Sequence, residues 1–259
     1  MVLSGAGLST ASGIPDYRDR NGRWKHAKPI DHSDFLRSEK VRKRYWARSF
    51  AGWQTIARAV PNHGHDVLAQ LEQQGRVSTV ITQNVDGLHQ KAGSRAVVEL
   101  HGGLARVICL GCLQIHPRTS VQEWLQAANP DVAPATAEAA PDGDARAVEA
   151  LCSEFRVPAC PDCGGLLKPD VVFFGDSVPK DRAAACRGLI DAARGLLIVG
   201  SSLMVYSGFR FAEYAHRQGK PVMAVNLGQT RADAFLAAKV EEACEVFLGR
   251  LQMSRIDER

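Results

Sequence analysis

Apolar positions along this chain repeat with two periods. Short runs rich in β-branched or aromatic residues read as buried strands over 77–81, 171–174, 196–199 and 222–225. Helical spacing recurs between them. Leu36 or Val41, Tyr45, Phe50 and Trp53 mark a helical region over 33–53, Pro61-Asn62 starts a helix that stops at Gly75, and further helices are expected near 181–193 and 209–217. Strands alternating with helices predict an α/β fold, a mostly parallel sheet covered on both faces. Such sheets bind ligands at the carboxyl ends of their strands. Polar clusters stand at three such ends: Gln83-Asn84, Gly200-Ser201-Ser202 and Asn226. Val2-Leu3-Ser4 reads as the tail of one more strand, running into Gly5-Ala6-Gly7, so the chain is expected to begin part-way through that strand.

Composition narrows the class. Of 259 residues, 45% are hydrophobic and 23% charged, enough apolar material to exclude disorder of the whole chain. No apolar run is long enough to span a bilayer, and Met1-Val2-Leu3 lacks the basic flank of a signal peptide. A cytoplasmic, bacterial-type location is expected, or the mitochondrial matrix if a transit segment has been removed. The net charge of +4 is too mild to imply nucleic acid. The basic run Lys40, Arg42, Lys43, Arg44 and Arg48 reads as a solvated helix face. A zinc-ribbon nucleic-acid binder is the rival that this run raises and the modest charge disfavours.

Seven cysteines are present, four of them in two Cys-x-x-Cys pairs, Cys109 with Cys112 and Cys160 with Cys163, separated by 47 residues. That spacing favours a single closed tetrahedral site, a structural rather than a catalytic metal. An Ala-, Pro- and Asp-rich stretch over 127–150 reads as a long loop inside this module.

The loop Gly5-Ala6-Gly7-Leu8-Ser9 departs from the dinucleotide fingerprint, because Thr10 stands where its third glycine belongs. Its glycines still permit close approach to a diphosphate. The longer string Gly5-Ala6-Gly7-Leu8-Ser9-Thr10-Ala11-Ser12-Gly13-Ile14-Pro15-Asp16-Tyr17-Arg18 resembles the signature of the sirtuin family of NAD-dependent protein deacylases. Thr82-Gln83-Asn84-Val85-Asp86-Gly87-Leu88-His89, Glu99-Leu100-His101-Gly102, Lys168-Pro169-Asp170-Val171-Val172-Phe173-Phe174-Gly175-Asp176, Gly200-Ser201-Ser202-Leu203 and Val225-Asn226-Leu227-Gly228 resemble its later motifs, in order. The resemblance covers about 2–248 and is nearest the class II, mitochondrial-type branch and its bacterial relatives.

The resemblance implies a Rossmann-like domain over 1–32, 54–100 and 165–259, with a helical part over 33–53 and a zinc-binding module over 101–164. It implies a reaction in which an acyl oxygen attacks the nicotinamide-bearing ribose carbon of NAD. Nicotinamide leaves, an alkylimidate forms, and free lysine and acyl-ADP-ribose result. His101 is then the general base, and Asn84 places a water and the ribose. The implied cofactor residues are Gly5, Ala6, Gly7, Ser9, Asp16, Tyr17, Arg18, Gln83, Asn84, Asp86, Gly200, Ser201, Ser202, Asn226, Leu227, Gly228 and Cys244. Zinc would be held by Cys109, Cys112, Cys160 and Cys163. An acylated lysine in a protein or peptide is the implied partner. It would add as a strand along Val172, Phe173, Phe174 and Gly175, to a protein expected to be monomeric, with no membrane or specific nucleic acid involved. Tyr45 and Arg48 resemble the acidic-acyl pair of desuccinylating sirtuins, so a bulky or carboxylated acyl group is expected to be preferred over acetyl. Within the family, mono-ADP-ribosyl transfer or lipoamide removal are alternatives. Outside it stands a non-catalytic module that senses NAD or ADP-ribose.

Overall fold

The computed structural model describes residues 1–25, 29–132 and 152–253. Most of the expected Ala- and Pro-rich loop, with Pro141-Asp142-Gly143-Asp144, lies outside the described residues.

Six strands form one parallel sheet: β1 (Val2–Ser4), β2 (Val80–Thr82), β3 (Val97–Glu99), β7 (Leu196–Val199), β8 (Val222–Val225) and β9 (Ala238–Val240), ordered β3-β2-β1-β7-β8-β9. Counted within the sheet this is 3-2-1-4-5-6, two mononucleotide-binding halves meeting between β1 and β7. Val2 is flanked by Val80 and Leu197. Helices α3 (His63–Gln73) and α8 (Cys244–Met253) pack on each other, with Val67, Leu68 and Leu248 joining Val2 and Val80 in one core. Helices α6 (Lys180–Ala192) and α7 (Tyr206–Arg217) lie against a second core built on Leu3, Ile81 and Ile198. Alternate residues of β1 thus enter different cores, as the two-residue period of a strand requires.

Strand β2 begins three residues later than the apolar run indicates. The end of α3 takes the start of that run: the Val77 and Arg76 N–H groups both donate to Leu71 O, after Gly75 turns the chain at φ 70°. A short helix α4 (Leu88–Lys91) follows β2.

The second unit is inserted between β3 and α6. Strands β4 (Gly102–Cys109), β5 (Ile115–Pro117) and β6 (Leu167–Val171) make an antiparallel sheet ordered β5-β4-β6, covered by α5 (Arg118–Ala128). Here the expected strand over 171–174 is corrected. The strand is Leu167–Val171, it belongs to the small sheet, and it ends where Phe173 and Phe174 begin. Pro169 obscured it, yet β6 is an edge strand, where a missing N–H is tolerated. Gly102 (φ 81°) is compelled at the crossing into this unit, since a Cβ there would lie 2.0 Å from Asp170 O.

The helical region over 33–53 divides at Ser38 into α1 (His32–Arg37) and α2 (Glu39–Arg58). Asp31 caps α1 and Ser38 caps α2 through side-chain oxygens that accept from Ser33 N and Val41 N. Helix α2 buries Tyr45, Trp46 and Phe50 with Phe35, Val107, Leu125 and Leu167, so the helical part and the metal-binding part share one core. Leu36, one of two residues proposed for the apolar face, is 40% exposed, and Phe35 is buried instead. The Arg118 guanidinium is buried over the Trp53 and Trp46 rings and donates to Ser49 O. No helix among the described residues is long and apolar enough to cross a membrane.

Candidate active site

A cavity of about 450 Å³ opens at the carboxyl ends of β1, β2, β7 and β8, between the large sheet and the inserted unit. Its place is where the strand order reverses. The glycines of β1 and β7 serve each other there. Gly7 N donates to Gly200 O (2.8 Å), a Cβ on Gly5 would lie 2.6 Å from Ser201 Cβ, and one on Gly200 would lie 2.3 Å from Leu8 N. The first demand on these glycines is that two strand-end loops touch.

Polar side chains behind β1 and β2 form a connected set. Asn84 Nδ2 donates to Gly5 O (3.1 Å) and Ser9 Oγ (3.0 Å), and Ser9 Oγ donates to Asp86 Oδ2 (2.7 Å). Asn84 and Asp86, two residues apart, therefore both converge on Ser9. Leu88 N donates to Asp86 Oδ1, yet burial outweighs these bonds and raises the Asp86 carboxyl above its usual range. Gln83 Nε2 donates to Ser201 Oγ (2.8 Å) and Ser4 O (3.2 Å), with Gly208 so close that a Cβ would lie 2.3 Å from Gln83 Oε1.

His101 follows β3 and precedes β4, at the joint between the two units. Its Nδ1 is 3.1 Å from Gln83 O and its Nε2 2.8 Å from Ser207 Oγ. Burial first, then the charges of Arg182 and Arg210, lower this imidazole to about 4, so the ring is neutral at pH 7. Arg210 lines the cavity, and its Nε and Nη2 have no hydrogen-bond partner among the described residues.

The segment after the glycine loop folds over one side. Tyr17, Trp24 and Phe174 meet edge to face, with ring centroids 5.4–6.4 Å apart. Arg18 lies over Trp24 and donates to Gly22 O (2.6 Å), while Asp16 pairs with Lys25. Arg18 is thus engaged within its own loop. Phe173 turns the other way, onto Phe35 and Tyr45.

Of the expected cofactor residues, all but Gly228 and Cys244 line the cavity, and so do Tyr45, Val172, Phe173, Phe174 and Gly175. Gly228 packs on the Arg20 backbone, where a Cβ would lie 2.2 Å from Arg20 O. Cys244 is buried at the start of α8, its thiol directed at Val225 O (3.6 Å) and pushed up to about 12 by burial. Of the expected Tyr45–Arg48 pair, Tyr45 lines the cavity and Arg48 is not among its lining residues. One helical turn separates the two along α2, and the Tyr45 ring packs on Phe173. The reading of the residues missed Ser207, Arg210 and the supporting Asn62, whose amide ties Leu8 O and Ser12 Oγ to the start of α3.

The four paired cysteines converge. Their Sγ atoms all lie within 4.8 Å of one another, with Cys109–Cys163 at 3.4 Å and Cys112–Cys160 at 3.9 Å. Thiolates about 2.3 Å from one zinc ion stand about 3.8 Å apart, so the set fits a closed tetrahedral site. Gly165 and Gly111 let the knuckles wrap the sulfurs, for a Cβ on Gly165 would lie 2.8 Å from Cys109 Sγ. His116 Nε2 stands 3.5 Å from Cys160 Sγ.

Beneath the site lies a buried histidine pair. His89 Nε2 meets Ser4 Oγ (2.8 Å), Ser4 donates to Thr82 Oγ1, and the His65 ring packs edge-on to His89. Burial lowers His65 to about 4 and His89 to about 3, the charge of one further opposing the other. Unfolded, each titrates near 6.5, so below that pH the unfolded chain binds more protons and stability falls. The stability is fully present above pH 6.5 and is lost as pH drops toward 4. With His101 included, the expected slope reaches about 4 kcal/mol per pH unit, from about 1.4 per histidine. Urea melts at pH 7, 6 and 5 measure it. An unfolding free energy flat over that range would show that these rings are not held neutral.

The profile of the Sir2 family matches residues 5–207. An NAD-dependent protein deacetylase 2 of Bradyrhizobium diazoefficiens is 53% identical over 250 residues, covering 96% of this chain and 92% of that protein. A solved structure of Sir2 bound to acetylated peptide shares 31% identity at a TM-score of 0.79, covering 98% of this chain and 91% of the other. A second, of Sir2 with an inhibitor, 2'-O-acetyl-ADP-ribose and a deacetylated p53 peptide, shares 30% identity at 0.77, covering 98% and 92%. With motifs, strand order, cavity and tetrathiolate cluster in agreement over nearly its whole length, the chain belongs to the Sir2 family, the sirtuins.

Proposed function

We propose that the protein is an NAD-dependent protein lysine deacylase. The observation that carries this reading is a neutral imidazole, His101, at the wall of a cavity at the switch point of a nucleotide-binding sheet. The relatives, an NAD-dependent deacetylase and Sir2 structures with acetylated peptide and acetyl-ADP-ribose, support it.

NAD, consumed as co-substrate, supplies an electrophilic ribose carbon and nicotinamide as leaving group. The chain supplies the rest. The glycine loop and Ser201, Ser202 and Asn226 line the dinucleotide's place, where backbone amides at loop turns favour phosphate. Asn84, Ser9 and Asp86 offer a fixed polar set, already bonded to one another, for the carboxamide and ribose. Fixed partners cost no reorganisation when the nucleotide arrives. His101, uncharged at neutral pH, is the base that takes up the proton of a ribose hydroxyl. Ile14, Tyr45, Leu104 and Phe173 give the acyl chain an apolar wall, and the segment after β6 pairs with an extended peptide. One chain supplies all of these groups, and the monomer is the proposed working unit.

The test is nicotinamide release, with mass spectrometry of the nucleotide product, over peptides differing only in their acyl-lysine. O-acyl-ADP-ribose equimolar with nicotinamide is expected. Labelled peptide without acyl loss would indicate ADP-ribosyl transfer, and NAD binding without nicotinamide release would indicate a sensing module. In the same panel Arg48→Met is expected to leave the ratio of succinyl to acetyl turnover within about twofold, since Arg48 is not among the residues lining the cavity. A selective loss of succinyl turnover would restore Arg48 to the acyl site.

A further inference from the structure

A carbonyl oxygen only accepts, so the contact from His101 to Gln83 O places the proton of the neutral ring on Nδ1. Nε2 therefore carries the lone pair. That lone pair is already engaged: Ser207 Oγ stands 2.8 Å away and donates to it. The base meets the cavity through a serine hydroxyl.

Ser207 is held there by its surroundings. It lies in the first turn of α7, and its hydroxyl bonds to His101 Nε2. Its neighbour Gly208 packs on the Gln83 side chain, and Gln83 O is the group that orients His101. Helix, glutamine and histidine are thus locked as one unit, and Ser207 lines the cavity that His101 lines.

We infer that Ser207 is a proton relay, passing the proton of a substrate hydroxyl to His101 Nε2. The inference rests on the deacylase reading above. As the substrate hydroxyl gives its proton to Ser207 Oγ, the O–H bond of Ser207 breaks and its proton bonds to Nε2. The electron pair left on the substrate oxygen forms the new bond to the acyl carbon. Serine ends as a neutral hydroxyl and His101 as imidazolium. Both transfers occur together, because a free serine alkoxide is far too basic to form beside a weakly basic imidazole.

The experiment compares the wild type with Ser207→Ala and Ser207→Thr. In mixtures of H2O and D2O, single-turnover acyl transfer by the wild type is expected to give a curved proton inventory, two protons moving at once. Ser207→Ala is expected to give a straight one, with kcat lower by about 10- to 100-fold, at or below the range of acid–base catalysis. KM for peptide and NAD should stay within about twofold, and Ser207→Thr should restore rate and curvature. A second readout needs no turnover: the 15N signal of His101 Nε2 in the free protein should move toward that of an unbonded imine nitrogen in Ser207→Ala and return in Ser207→Thr. A wild-type inventory that is already straight, an alanine variant with wild-type kcat, or an unmoved Nε2 signal would each overturn the relay. Failure of the wild type to release nicotinamide would overturn the deacylase reading and the relay with it. The Nε2 signal would still show whether the hydrogen bond exists.

Discussion

His101→Ala is expected to lower turnover by about 10²- to 10⁴-fold, the range supplied by one well-placed base. The expectation follows from geometry before chemistry. His101 joins β3 to β4, its Nδ1 is fixed by Gln83 O, and its Nε2 faces the cavity side through Ser207. Arg182 and Arg210 add to burial in keeping it unprotonated, so at pH 7 essentially every molecule holds the competent form. Alanine removes the base and leaves the dinucleotide's wall of Gly5, Ser201 and Asn226 in place. NAD affinity, read by calorimetry, should therefore change little while nicotinamide-coupled deacylation collapses. Turnover within about tenfold of the wild type would remove His101 from the role. Loss of NAD binding in step with turnover would mean that the ring supports the fold of the site rather than its chemistry.

Stripping the metal is expected to unfold the inserted unit and, with it, to abolish activity. Structural zinc in small thiolate sites contributes about 10–16 kcal/mol of apparent folding free energy, comparable to the whole stability of a domain. Here Cys109 and Cys160 belong to the same buried core as Trp46, Phe50 and Leu167, so a zinc ion held by the cysteines would anchor the sheet and α2 together. Strands β4 and β6 carry the disturbance to the cavity. His101 stands at the start of one, and Val172, whose N–H donates to His101 O, at the end of the other. Dialysis against a chelator, with zinc content verified, should lower the melting temperature by many degrees, and restored zinc should recover part of it. Retention of both activity and melting temperature after verified metal loss would refute the structural role.

Much of the site was legible because its signals are local. Two Cys-x-x-Cys pairs announce a tetrahedral site at any distance in sequence, since each knuckle presents two thiolates by itself. Gln83-Asn84 and Gly200-Ser201-Ser202 could be placed at strand ends because a short apolar run stops just before each. The residues that escaped are those whose partner is remote. Ser207 lies 106 positions from His101, and nothing in Tyr206-Ser207-Gly208 marks a hydroxyl aimed at an imidazole. The glycines were read for the right loops but with one reason missing, for Gly7 and Gly200 are compelled by each other. The i,i+3 spacing places Arg48 near Tyr45 on the helix surface, while only Tyr45 of the two is among the residues lining the cavity.

The sequence alone determined the alternation of strands and helices, the metal ligands, and the family, because period, spacing and ordered motifs are properties of neighbouring residues. The tertiary structure decided which sheet receives β6, which arginines surround His101, and which nitrogen of that ring is basic. Each of these depends on side chains far apart in the chain being brought within hydrogen-bonding or Coulombic reach. That proximity is fixed only when the cores of the large sheet and the inserted unit have packed and set the angle of the cleft between them.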